Sequence, residues 1–423
     1  MIKKGVLVSK SVIDFLYMFF SNIIKKGFGL FREIILAYLF GSSIMYANFI
    51  LLRTTTQLLS QFTDGNALQA NLLPKFSKIY SDYSEVSLNQ VFSFSKKTMY
   101  LLFFISFLSQ IPVLYYINPE ELTFFICISI LLSVVVSLSF FSSVFLVIMQ
   151  AKGLFKLHSF ATTFDMLIST FVLYPVSLLF GVIGIVISRI IGMYSLVVKY
   201  LKPLLKENEG YTAIMSAKDL NLSILLLGNF VNIIILSSRF VSGLDAGNNI
   251  TFFNYSIVLL NVLITAIVLN VNTIVLRKLS ITKNRSLILL SVGIALFLGL
   301  GMVFFINTFG YEVIALIFQR GAFTMEDTMQ TFNYAKDLSW SFVLISISSS
   351  LFQPYFSLNQ NLIRNSSKVM AMIFVIAVLG VITVIVTFDF SAKQNSLIMI
   401  YSMSFLSVLL AITSIFQYKK YSK

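Results

Sequence analysis

Leu122-Thr123-Phe124-Phe125-Ile126-Cys127-Ile128-Ser129-Ile130-Leu131-Leu132-Ser133 opens a stretch that reaches Gln150 without one Asp, Glu, Lys, Arg or His. A bilayer's hydrocarbon core is about 30 Å thick and needs roughly 20 apolar residues to be crossed as a helix. The stretch 122–150 is longer than that, and it predicts a transmembrane helix. The composition of the whole chain agrees. Of 423 residues, 57% are hydrophobic and 11% charged, and the mean hydropathy is +0.89. A soluble domain carries about 25% charged residues. These values exclude a soluble enzyme, a disordered chain and a disulfide-stapled module, and leave an integral membrane protein.

Outward from this stretch, the same criterion gives spans near 11–38, 45–72, 97–117, 122–150, 158–179 and 181–202. A second set lies near 219–242, 250–276, 286–307, 329–356, 368–388 and 394–417. The expected fold is therefore all-α, with twelve transmembrane helices in two six-helix lobes around a central cavity. The lobes are 1–202 and 219–423, joined by a cytoplasmic linker, 203–218, that contains Pro203, Lys206, Glu207, Glu209 and Gly210. In the first span Lys25 and Lys26 stand beside Gly27 and Gly29, so that span is either one bent helix or two half-helices. The start Met1-Ile2-Lys3-Lys4 is followed by Asp14 without a small-residue cleavage site, which predicts a retained helix.

Lys plus Arg is 31 and Asp plus Glu is 17, a net charge of +14. Cytoplasmic loops of membrane proteins collect Lys and Arg. With the N-terminus cytoplasmic, Lys3, Lys96, Lys152, Lys206, Arg277, Arg364 and Lys419, with most other basic residues, fall on the inner side. The outer loops receive Arg239, Arg320 and Lys393. This asymmetry predicts that both termini are cytoplasmic. It accounts for the charge without nucleic acid as a partner. The single Cys, Cys127, reads as a buried small hydrophobe, and one His with one Cys supplies neither a Zn site nor a Cys-His nucleophile pair. Neither enzymatic activity nor a cofactor is expected.

Lys25, Lys26, Arg32, Arg53, Arg189 and Lys336 remain inside the spans. Each costs about 2.5–3.5 kcal/mol at mid-bilayer on the insertion scale, so such residues point to function. Lys336 stands beside Asp337 near a span end, where a surface pair or snorkelling accounts for it. Arg189 either pairs with Asp165 of the preceding span or contacts substrate. Lys25, Lys26, Arg32 and Arg53 occupy the first two helices, where Glu33 and Asp14 are too few to neutralise them. Positions 25 and 32 share a face if the helix is continuous. Several cations in a low-dielectric cavity suit a phosphate or diphosphate, which Arg grips bidentately and Lys as a point charge. Thr324-Met325-Glu326-Asp327 reads as a helix start. Asn229, Asn232, Asn270 and Asn272 read as interhelical hydrogen-bond partners, with Na⁺ or sugar contact as the alternative.

Gly27-Phe28-Gly29-Leu30-Phe31-Arg32-Glu33, followed by Ala37-Tyr38-Leu39-Phe40-Gly41, resembles the opening of the MurJ/MviN lipid II flippase family of the multidrug/oligosaccharidyl-lipid/polysaccharide exporter superfamily. Pro74, Ser242-Gly243-Leu244, Ala246-Gly247 and Asn254-Tyr255 are similar to further family positions. So is Leu316-Ile317-Phe318-Gln319-Arg320-Gly321-Ala322-Phe323-Thr324, which resembles the family's outer-loop signature. The resemblance implies a multi-pass protein of the bacterial cytoplasmic membrane that moves lipid II or a polysaccharide repeat unit by alternating access. The family's two first-helix cations fall on Lys26 and Arg32. Other family charges are replaced by Ala47, Ser60 and Val258, and Arg53 lies two turns before Ser60 on the same face. The family's usual last two helices, which line a lipid-tail groove, have no counterpart among the twelve spans.

The leading expectation is a flippase for an undecaprenyl-diphosphate-linked saccharide, with Lys26, Arg32, Lys25, Arg53 and Arg189 holding the diphosphate. It implies membrane lipids as surroundings, a role in peptidoglycan or polysaccharide biosynthesis and cell shape, and cell-envelope synthesis proteins as candidate partners. One alternative is a cation-coupled multidrug exporter of the same superfamily, with Asp14, Glu33 or Asp165 carrying H⁺ or Na⁺. Another is a non-transporting cell-envelope scaffold.

Overall fold

The computed structural model describes residues 2–61, 88–115, 119–203, 222–245, 247–261, 286–358, 360–388 and 390–421, together with 68, 72, 73, 76, 80, 117, 268, 272 and 275. Nearly all of the expected linker, with Pro74, Ala246 and Asn270, lies outside these residues, as does the side chain of Asp14.

The described chain is all-helical. Helix α1 is Ile2–Phe40 and α2 is Ile44–Ser60; α3 is Leu88–Leu114, α4 Leu122–Ala151, α5 Phe155–Phe180 and α6 Ile183–Leu196. A π turn, Val197–Leu201, continues α6. Then come α7 (Leu222–Gly228), α8 (Phe230–Val241), α9 (249–261), α10 (Ser286–Phe318), α11 (Met325–Phe356), α12 (Gln360–Thr387) and α13 (Ala392–Tyr421). Among the described residues, seven helices are long and apolar enough to cross a membrane: α3, α4, α5, α6 with its π turn, α10, α12 and α13. This is a multi-pass membrane protein. Helix α1 runs unbroken through Gly27 and Gly29, so Lys25 and Arg32 do share a face.

The surface differs from that of a soluble protein in its large exposed apolar side chains. Leu289, Phe297 and Leu316 of α10 are 78%, 77% and 76% exposed, while Ser129, Ser133 and Ser137 of α4 are buried. Lipid satisfies apolar side chains on the outside, and a buried polar side chain can link neighbouring helices where packing alone gives little preference. Gln110 of α3 donates to the Ser129 carbonyl (3.2 Å) and to Ser133 Oγ (3.1 Å). Cys127 corrects the expectation of burial: it is exposed. The inward face of α4 carries Phe125, Ile128, Ser129 and Leu132, and position 127 points away from it.

Two compact units emerge. The first is Met1–Ile35 with Thr55–Leu225, and the second is Leu36–Thr54 with Leu226–Lys423. In the first, α3 and α6 pack on α4, and α5 packs on α6. Phe140, Val144, Ile148, Leu196 and Leu201 form part of its core. In the second, α10 packs on α11, and α8, α11 and α12 pack on α13. Asn272 donates to Ser349 Oγ (3.1 Å) and accepts from Ser350 Oγ (2.9 Å), an interhelical bridge to α11 of the expected kind.

The division passes through α1 and α2, because the turn between them is anchored in the second unit. Ala322 N donates to the Tyr38 carbonyl (2.9 Å), and Tyr255 Oη donates to the Gly41 carbonyl (3.2 Å). Gly41 and Gly321 have φ of +52° and +61°, where a side chain is strained. Space is closed as well. A Cβ on Gly41 would lie 2.3 Å from the Ala322 carbonyl oxygen, and one on Gly321 would lie 2.4 Å from that of Tyr38. Around them Phe40, Tyr46, Phe49, Tyr255, Phe318 and Phe323 pack in one aromatic cluster. Thr324 caps α11: its Oγ1 accepts from Asp327 N (3.2 Å), and Asp327 Oδ2 accepts from Thr324 N (2.7 Å). The helix start read from the sequence is therefore present.

Candidate functional site

The second unit brings two guanidinium groups to one amide. Arg239 Nη1 donates to Asn254 Oδ1 at 2.8 Å, and Arg53 Nη2 donates to the same atom at 3.3 Å. Arg239 Nε also donates to Thr54 Oγ1 (2.9 Å), and the Arg53 guanidinium lies 5.7 Å from the centre of the Phe49 ring. The local sequence explains the placement. Arg53 and Thr54 are neighbours on α2, Arg239 sits in the last turn of α8, and Asn254 faces both from α9. A cation in the last turn of a helix is favoured by the helix dipole. Each guanidinium presents five N–H donors in a planar fork. The cluster therefore places two positive charges around one neutral acceptor inside apolar helices.

Arg239 is the residue that sequence reasoning missed. It was expected on an outer loop but is only 6% exposed. Its place three residues before the end of the span 219–242 counts it with the outer side. The signal was present nonetheless, since Arg239 lies within the apolar run Phe230–Val241. Its hydrogen bonds to Thr54 and Asn254 offset the cost of burying the charge.

The first unit holds the other predicted cations. Lys25 Nζ donates to Thr162 Oγ1 of α5 at 3.3 Å, and Ser21 Oγ lies 2.8 Å from Thr163 Oγ1. Polar contacts thus fasten α1 to α5. Lys26 is exposed, while Arg32 and Glu33 are half-buried. Arg189 Nη1 donates to Asp165 Oδ2 at 2.9 Å, an ion pair between α6 and α5. Gly192 permits this closeness, because a Cβ there would meet the Asp165 backbone oxygen at 2.7 Å. The structure thus joins Arg189 to Asp165 and Lys25 to α5. Arg53 joins Arg239 in the second unit.

Lys336 is exposed near its span end, and of the two accounts expected for it, surface pair or snorkelling, the pair with Asp337 is not formed. Lys393 Nζ reaches Asp337 Oδ2 at 2.6 Å instead. Consecutive residues of a helix point in different directions, which leaves Asp337 to a cation on α13. Among the described residues, no group of three or more His, Cys, Asp or Glu gathers to hold a metal ion.

No family model and no curated relative matches the chain. Solved structures do. Lipid II flippase MurJ in an inward closed conformation is 17% identical, with 96% of this chain and 87% of that chain covered at a TM-score of 0.75. An inward-facing multidrug resistance MATE family transporter of the MOP superfamily is 14% identical, covering 97% and 95%, at 0.62. A Vibrio cholerae MATE transporter is 12% identical, covering 99% and 98%, also at 0.62. These likenesses establish the fold, which MurJ and the MATE transporters share with this chain.

Proposed function

We propose, on the premise of this shared fold, that the chain is a flippase for an undecaprenyl-diphosphate-linked saccharide, working by alternating access in a bacterial cytoplasmic membrane. The observation that carries the reading is the meeting of Arg53 and Arg239 on Asn254 Oδ1 within apolar helices. Two guanidiniums that converge on one neutral acceptor concentrate positive charge at one point, which suits a diphosphate. Lys25, Lys26 and Arg32 on α1 supply further positive charge in the first unit. The saccharide is a lipid II head or a polysaccharide repeat unit, so the product serves peptidoglycan or surface polysaccharide. The twelve-span topology with both termini cytoplasmic belongs to the same proposal. With that orientation, an anionic head moves outward down the membrane potential, a gain of about 2.3 kcal/mol per charge per 100 mV.

The cation-coupled exporter reading is less well supported at Asp165, one of its three candidate acids. Asp165 Oδ2 already accepts from Arg189, so a coupling cation would compete with a fixed guanidinium. The test is flipping of fluorescent lipid-linked saccharides by the purified chain in proteoliposomes. Arg53→Gln, Arg239→Gln, Lys26→Ala and Arg32→Ala are expected to slow it strongly. Unchanged flipping of every lipid-linked saccharide by all four variants would overturn the assignment.

A further inference from the structure

A cavity of about 610 Å³ opens in the second unit between the α1–α2 turn, the start of α9 and the first turn of α11. Its volume lies in the range that holds small-molecule ligands, about 300–1,000 Å³. The lining contains two carboxylates, Glu326 and Asp327, and neither Lys nor Arg. Phosphate is therefore repelled from the place where the geometry invites a ligand.

The floor is held rigidly. Asp327, 6% exposed, accepts from Ser42 Oγ at 2.5 Å on Oδ1 and from Thr324 N on Oδ2. Asn249 is fixed at both ends, donating from Nδ2 to Asp245 Oδ2 (2.7 Å) and accepting on Oδ1 from Tyr334 Oη (3.1 Å). Phe40 and the buried Phe252 add aromatic surface. At the rim, Ser43, Glu326 and Gln330 are exposed and Asn248 is half-exposed. Amides and hydroxyls both donate and accept, and carboxylates accept. Such groups over an aromatic wall complement a ring that carries hydroxyls on its edge and C–H bonds on its faces.

We infer that this cavity binds a non-anionic saccharide. The inference deepens the flippase reading and rests on it: the sugar part of the substrate is recognised at the carboxylate-lined cavity, and the diphosphate at the cationic residues. The loop that builds the cavity wall is locked by Gly41 and Gly321, so the sugar meets preorganised groups and little binding free energy goes into ordering them.

The experiment is saturation-transfer NMR on the full chain in nanodiscs with methyl glycosides of glucose, N-acetylglucosamine and glucuronic acid. The first two should bind and the glucuronide should not. Asn248→Leu and Glu326→Leu, checked for an unchanged melting temperature, should weaken both neutral glycosides at least tenfold. They should leave binding of undecaprenyl diphosphate, which has no sugar, within twofold. Absence of neutral-glycoside binding, equal binding of the glucuronide, or insensitivity to both substitutions would each overturn the inference. Arg53→Gln and Arg239→Gln provide the separate arm, since they should weaken undecaprenyl diphosphate and spare the glycosides. Loss of the diphosphate effect alone defeats the flippase reading, whereas loss of the glycoside effect alone defeats only the cavity.

Discussion

Arg53 and Arg239 donate to the same atom, Oδ1 of Asn254, from two helices that are distant in sequence. Exchanging that neutral acceptor for a charged one should separate folding from binding. Asn254→Asp places a carboxylate between the guanidiniums, where it competes with any incoming anion. The melting temperature should hold or rise, while affinity for undecaprenyl diphosphate falls about tenfold or more, as expected when charged hydrogen bonds of about 1.5–3 kcal/mol are lost to the ligand. Isothermal titration reads the affinity, and a gain in affinity would contradict the anion-site reading.

Gly41→Ala and Gly321→Ala should each destabilise the second unit. A left-handed backbone costs an ordinary residue about 1–2 kcal/mol, and here a Cβ also meets a carbonyl oxygen. Thermal unfolding in detergent should show a clear drop for each. Because both substitutions disrupt one docked turn, the double variant should lose less than the sum. Strict additivity would mean that the two glycines act independently.

The Arg189–Asp165 pair makes a prediction in the first unit. Removing either partner leaves the other charge among apolar helices, so Asp165→Asn and Arg189→Gln should each destabilise, and the double variant should recover part of the loss. A coupling energy of about 0.5–3 kcal/mol is expected from a double-mutant cycle. The half-exposed Asp337–Lys393 pair should give about 1 kcal/mol or less in the same assay. Similar values for the two pairs would contradict the difference in their surroundings.

The distribution of basic residues predicts topology directly. A fluorescent protein fused after Lys423 should fold and fluoresce in the cytoplasm, and alkaline phosphatase at the same place should stay inactive. Active phosphatase would reverse the orientation.

The membrane class was legible in the sequence, because hydropathy is summed locally along each helix and needs no partner. The uncharged run 122–150 and the excess of Lys and Arg each report a property of the chain itself, and the cap at Thr324 is written in four consecutive residues. The likeness to the flippase family also lay in short motifs. Which charges meet was not legible. Arg239 counts with the outer side in the sequence, whereas α8 and α9 bring it to Asn254, and of the two accounts open for Lys336 the pair with Asp337 gives way to Lys393 of α13. Residues 36–54 belong with the second unit for the same reason: the loop around Gly321 accepts the turn at Gly41. Local free energies set which segments enter the membrane, and only tertiary packing decided which buried polar groups compensate one another.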